Sequence, residues 1–98
     1  MKITKNQNGT ALEFALEGRL DTTTAPELEK ELKDSLDGAT ELTINFEKLE
    51  YISSAGLRVL LSAHKTMSSK DGMKVTHVNE IVREVFDVTG FADILTIE

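Results

Sequence analysis

Two adjacent hydroxyls, Ser53 and Ser54, stand in the stretch Tyr51-Ile52-Ser53-Ser54-Ala55-Gly56-Leu57-Arg58-Val59-Leu60-Leu61. A run with strand character precedes them and a strongly apolar helical pattern follows. Such a strand-to-helix turn carries backbone N–H groups without intrahelical partners, at the positive end of the helix dipole. A serine there has two chemistries open to it. It caps the helix, with about 1 kcal/mol lost on replacement by alanine, or it accepts a phosphate whose charge the helix end favours. Both readings stand for Ser54, because an exposed cap is also an accessible hydroxyl. Ser53 is either a second acceptor or a turn residue holding backbone N–H groups.

Other chemistries find less in the sequence. A nucleophilic serine needs a base within hydrogen-bond reach, and no Gly-x-Ser-x-Gly elbow surrounds this pair, so no catalytic residue is assigned. His64 and His77 have no second ligand at metal-binding spacing. They read as a packed residue on a helix face and a strand residue, and no metal site is expected. Gly56 stands alone, without the companions of a phosphate or dinucleotide loop, so no cofactor is expected. The absence of cysteine excludes disulfides, thiolate catalysis and cysteine metal sites.

Charge and length narrow the classes further. With 17 acidic against 11 basic residues the net charge is −6, and the lysines are scattered among acids. Phosphate backbones demand clustered Lys and Arg, so direct nucleic-acid binding is not expected. No apolar run approaches the roughly 20 residues of a membrane span, and the start Met1-Lys2-Ile3-Thr4-Lys5-Asn6 turns polar too early for a signal peptide. A cytoplasmic protein without a membrane partner is expected. Its 98 residues make one domain, 1–98.

The elements that hold the serine turn follow from periodicity. Ile3 opens a short strand and Asn8-Gly9 signals a hairpin. Ala11–Gly18 reads as a second strand, in which Leu12, Phe14 and Leu16 alternate with Glu13 and Glu17. Thr22-Thr23-Thr24 is a polar turn. Thr24 and Glu27 have capping-box spacing, with Pro26 in the first turn of a helix running to about Leu36. Its charges, Glu27, Glu29, Lys30, Glu31 and Lys33, form a solvated face with supporting ion pairs. A third strand carries Leu42, Ile44 and Phe46. A second helix spans roughly Ala55 to Ser69, with Leu57, Leu60, Leu61, His64 and Met67 on one face, widened by Val59 and Ala63. That breadth predicts burial on more than one side. Met73–Val78 is a strand, Asn79 caps a third helix carrying Ile81, Val82, Val85 and Phe86, and this helix ends near Thr89-Gly90. A loop and short strand, Phe91–Ile97, complete the chain. The alternation predicts an α/β domain with a mixed, mostly parallel sheet of about five strands, flanked by three or so helices.

Three blocks in order, Gly18-Arg19-Leu20-Asp21, Tyr51–Leu61 and Val85-Phe86-Asp87-Val88-Thr89-Gly90-Phe91, resemble the STAS domain. Within it they resemble the stand-alone anti-sigma factor antagonists, over essentially the whole chain. The resemblance implies a non-enzymatic module that binds an anti-sigma factor, often a serine kinase, and so frees a sigma factor for transcription. The kinase phosphorylates a serine at the start of the second helix, the phosphorylated antagonist no longer binds, and a serine phosphatase restores it. The family turn reads Asp, phosphorylated Ser, Ser or Thr, then Gly. Matched at Gly56, it puts Ser53 where the Asp stands, Ser54 at the phosphorylation site and Ala55 next.

By the same resemblance Asp21 matches an acidic residue of the neighbouring loop. The implied partner-binding set is Asp21, Thr22, Thr23, Ser53, Ser54, Gly56 and Arg58. Read singly, several of these have plainer roles. Asp21 suits an Asx turn bonding the Thr23 or Thr24 backbone. Gly56 suits close backbone packing, and Arg58 an ordinary solvated position. Phe91 is either an exposed anchor or buried against the third helix. The serine at position 53 also keeps a second function open, a phosphorylation-independent STAS subunit of a lipid-transport or signalling complex.

Overall fold

Gly9 turns the chain first. In the computed structural model, which describes residues 1–98, strand β1 (Lys2–Asn8) pairs antiparallel with β2 (Ala11–Leu20), and Asn8 faces Ala11. The turn is therefore centred on Gly9-Thr10, one residue later than an Asn-Gly turn. Gly9 has φ 65° while Thr10 stays at negative φ. A positive φ at the first central position alone is the type II′ pattern, which glycine adopts without strain.

Helix α1 (Ala25–Ser35), β3 (Glu41–Ile52), α2 (Ser54–Met67), β4 (Met73–Thr76), α3 (Glu80–Thr89) and β5 (Thr96–Ile97) follow, with single 3-10 turns at Leu36–Gly38 and Phe91–Asp93. The five strands lie in the order β1-β2-β3-β4-β5, antiparallel at the first pair and parallel at the other three. Each parallel step moves to the next neighbour, so right-handed crossovers put all three helices on one face. Leu12, Phe14 and Leu16 of β2, Leu42, Ile44 and Phe46 of β3, and Val75 of β4 are buried beneath them, while Glu13, Ala15, Thr43 and Asn45 turn to the other face and are only half-buried. Phe86 of α3 meets Phe46 with ring centroids 6.2 Å apart.

The expected breadth of α2 burial has a visible cause. One flank packs on the sheet, and Val59 and Ala63 face Leu32 of α1 and Leu36 of the following 3-10 turn across a shallow cleft. Leu61 and His64 reach only half-burial. The charged face of α1 is exposed, with Lys33 Nζ 3.5 Å from Glu29.

The structure departs from the sequence expectation in several places. Strand β3 runs on to Ile52, with its pairing to β2 interrupted twice so that β3 carries two extra residues past Asn45. These irregularities break the period of two: after Phe46 the next buried residues are Leu49 and Ile52. His77 is not a strand residue. It stands just past β4 at φ 57°, the left-handed region, which histidine enters more readily than most side chains. Thr24 does not cap α1 with its side chain. Ile81, one of the apolar residues of α3, is 62% exposed. Asn79 caps α3 as its position predicts: its Oδ1 accepts from the Val82 amide at 2.8 Å, and its Nδ2 donates to the Leu49 carbonyl, also at 2.8 Å.

Candidate functional site

The ends of β2 and β3 lie side by side, Leu20 opposite Ile52. One residue further on, the Ser53 amide donates to the Leu20 carbonyl at 2.9 Å. This bond joins the two loops that sequence spacing singled out, the one after Leu20 and the one before α2.

Ser53 is the N-cap of α2. Its backbone is extended (φ −101°, ψ 175°), its Oγ accepts from the Gly56 amide at 3.5 Å, and its carbonyl accepts from the Leu57 amide at 3.0 Å. The capping role offered to Ser54 thus belongs to its neighbour. Ser54 is the first helical residue, exposed, and its hydroxyl makes no hydrogen bond within the protein. No acidic side chain occupies the first turn of α2, so the positive helix end there is uncompensated.

Gly56 lies beneath this surface. A Cβ built on it would stand 2.7 Å from Leu20 Cγ and 2.9 Å from Ile52 Cγ1. The first turn of α2 therefore rests directly on the two strand ends, and Gly56 sets the height of the turn instead of presenting a side chain. Arg58 is exposed and engages in no ion pair.

The other loop is organised by Asp21. Its Oδ1 accepts from the amides of Thr23 at 3.0 Å and Thr24 at 3.1 Å, and its carbonyl accepts from the Ala25 amide at 2.8 Å. Thr24 Oγ1 in turn accepts from the Asp21 amide at 2.8 Å and donates to the Arg19 carbonyl at 2.8 Å. A reciprocal pair like that of a capping box is present, then, but it closes the turn ahead of α1: the Asp21 carboxylate holds the Thr24 amide, and the Thr24 hydroxyl holds the Asp21 amide. The Thr24 amide above all holds the Asp21 carboxyl below its ordinary pKa of 3.8. The Thr23 amide, the Thr24 hydroxyl and the Arg19 charge act in the same sense, and partial desolvation opposes them. Thr22 and Thr23 are exposed at the tip.

Two further residues belong to this end of the sheet and were not singled out in the sequence. The Arg19 guanidinium lies 4.5 Å above the Tyr51 ring, across the β2–β3 register pair Arg19–Tyr51. Arg19 already stood inside the Gly-Arg-Leu-Asp block, but its partner depends on the two register shifts in β3. Phe91 is half-buried and packs against the core, so it is not a free anchor. No three His, Asp or Glu side chains converge where a metal could be held, and no helix is long and apolar enough to cross a membrane.

Comparison with known proteins agrees with this architecture. Residues 2–98 match the STAS domain model. BtrV of Bordetella bronchiseptica, whose name places it among anti-sigma factor antagonists, is 34% identical over 99 positions, covering 99% of this chain and 85% of its own. The anti-sigma-B factor antagonist of Bacillus subtilis is 26% identical over 98 positions, covering 99% of this chain and 90% of its own. The fold matches SpoIIAA in its unphosphorylated form, with TM-score 0.85 at 18% identity over 99% of this chain and 88% of that one. It also matches the phosphorylated form of SpoIIAA from Bacillus, with TM-score 0.77 at 17% identity over 99% and 91%. The chain belongs to the STAS domain family and is similar to its anti-sigma factor antagonists.

Proposed function

We propose that the protein is an anti-sigma factor antagonist that binds an anti-sigma factor of the serine kinase type in the cytoplasm and is switched off by phosphorylation of Ser54. A serine phosphatase would restore the binding form. One observation carries the reading: Ser53 does the capping, so the Ser54 hydroxyl is exposed and unbonded at an uncompensated helix N-terminus. The existence of SpoIIAA in phosphorylated and unphosphorylated forms supports it.

Phosphate adds roughly −1.5 to −2 charge and three acceptor oxygens. At the first residue of α2 it meets the helix dipole, which stabilises it by about 0.3–1 kcal/mol, so the scaffold has no reason to unfold. A dianion pressed into a desolvated interface, or against partner carboxylates, behaves differently. About 4 kcal/mol of lost interaction weakens binding roughly a thousandfold. The partner surface combines the Asp21–Thr23 loop with its exposed threonines, the Ser53–Ser54 turn and Arg58, with Gly56 fixing their relative height.

The experiment is incubation with the kinase-type anti-sigma factor and ATP, followed by intact mass of wild type and Ser54→Ala. One phosphate on wild type and none on Ser54→Ala is expected, together with loss of partner binding by Ser54→Asp at an unchanged melting temperature. Equal affinity of Ser54→Asp and wild type would refute the switch.

The serine at position 53 favours a second reading, a STAS subunit that binds constitutively within a lipid-transport or signalling complex. An unmodified mass, under conditions that phosphorylate a control antagonist, would select it.

A further inference from the structure

Helix α3 carries more apolar surface than the core covers. Val82 and Phe86 are buried, but Ile81 is 62% exposed and Val88 79% exposed. Seven residues are two helical turns, so these two side chains stand above one another on one face. Val85, half-buried, links them to the buried side. Ile94, 44% exposed, follows the 3-10 turn that packs back against α3.

Folding does not account for this strip. Isoleucine and valine are weaker helix formers than Ala, Lys or Glu, and here they gain little burial in return. An uncovered apolar stripe rimmed by polar groups marks an interaction site more often than an accident.

The surrounding charge points to the occupant. Glu80, Glu84 and Asp87 run along the exposed flank of the strip, and Glu84 lies nearest it, three residues after Ile81 and four before Val88. Arg83 is the one base among them and is paired with Asp87 at 3.6 Å. A second copy of this chain would set acids against acids, and an anionic bilayer would be repelled in the same way. We propose that the Ile81–Val85–Val88 strip docks an amphipathic helical segment of a protein partner that carries basic residues beside its apolar face. The strip runs along α3, whereas Ser54 opens α2, so the proposal stands whether or not Ser54 is a phosphoacceptor.

The probe is a synthetic amphipathic helix of leucine and lysine, titrated into the isotope-labelled protein, with a scrambled peptide of the same composition as control. Amide shifts confined to residues 80–94 and at least about tenfold weaker binding of the scramble are expected. The Ile81→Ser/Val88→Ser variant keeps every charge and should lose binding about tenfold or more, with its remaining amide spectrum unchanged. Glu84→Lys keeps the strip and should also weaken binding, in a salt-dependent manner. Shifts scattered over the surface, or equal binding of peptide and scramble, would overturn the proposal. So would strip-dependent dimerisation by sedimentation, or strip-dependent binding to phosphatidylglycerol vesicles.

Discussion

Asp21 and Thr24 bond each other's backbone: the Asp21 carboxylate accepts from the Thr24 amide at 3.1 Å, and the Thr24 hydroxyl accepts from the Asp21 amide at 2.8 Å. This reciprocal pair closes the turn that leads into α1 and shapes the loop beside the serine turn. Thr24→Ala should cost about 1 kcal/mol, the net worth of the hydroxyl's bonds. Asp21→Ala should also lower the midpoint of urea unfolding. Because each residue serves the other, the double variant should lose less than the two single losses added, as a double-mutant cycle would measure. Strict additivity would show that the pair is not a unit.

Acid should expose the same carboxylate. Asp21 is held below its ordinary 3.8, chiefly by the Thr24 amide. A carboxylate whose folded pKa is depressed contributes stability that is present above its unfolded value and lost as pH falls through its folded one. The stability gap between wild type and Asp21→Asn should therefore stay level from about pH 8 to about pH 5 and close only below the ordinary carboxylate range. Urea unfolding at a series of pH values reads it directly. A gap already closing near neutrality would point to another group.

Gly56→Ala sets two effects against each other. Alanine is the better helix former by about 1 kcal/mol. Its methyl, however, would stand 2.7 Å from Leu20 Cγ and 2.9 Å from Ile52 Cγ1, both core side chains. Overpacking of this kind costs typically 1–3 kcal/mol, so the variant should be less stable on balance. Chemical denaturation giving equal or greater stability would show that the two strand ends yield easily.

Ser53 and Ser54 should separate cleanly. Ser53→Ala removes the cap and should cost about 0.5–1 kcal/mol, at the low end because the bond to the Gly56 amide is long. Ser53→Asp keeps a good cap and adds charge at the favourable helix end, so it should match or exceed wild-type stability. Ser54→Ala should be nearly silent in the same thermal melts, since its hydroxyl is unbonded. A larger loss at Ser54 than at Ser53 would reverse the assignment of cap and free hydroxyl.

How much of this was legible in the sequence follows from periodicity. The alternation of Leu12, Phe14 and Leu16 and of Leu42, Ile44 and Phe46 announced two half-buried strands, and both are buried on one face. Asn79 was legible as a cap because a single Asn preceded the apolar helical pattern. The bonding at the start of α1 was not, since Thr24 stands at the N-cap but its hydroxyl turns back to Asp21, and only the loop geometry shows this. The same ambiguity covered the two serines, one step apart. The far half of β3 was hidden by its register shifts, and with it the stacking of Arg19 on Tyr51. The exposure of Ile81 is not legible from its apolar type alone, since α3 buries its neighbours Val82 and Phe86 and leaves Ile81 outside.

At Gly56 the helix leans on Leu20 and Ile52 with no side chain between, and this ties the outside of the molecule to its interior. How far the neighbouring hydroxyl projects is gauged by two core residues instead of by a loop. Exchanges at those interior positions, silent to any inspection of the surface, should retune the reach of the turn toward whatever meets it.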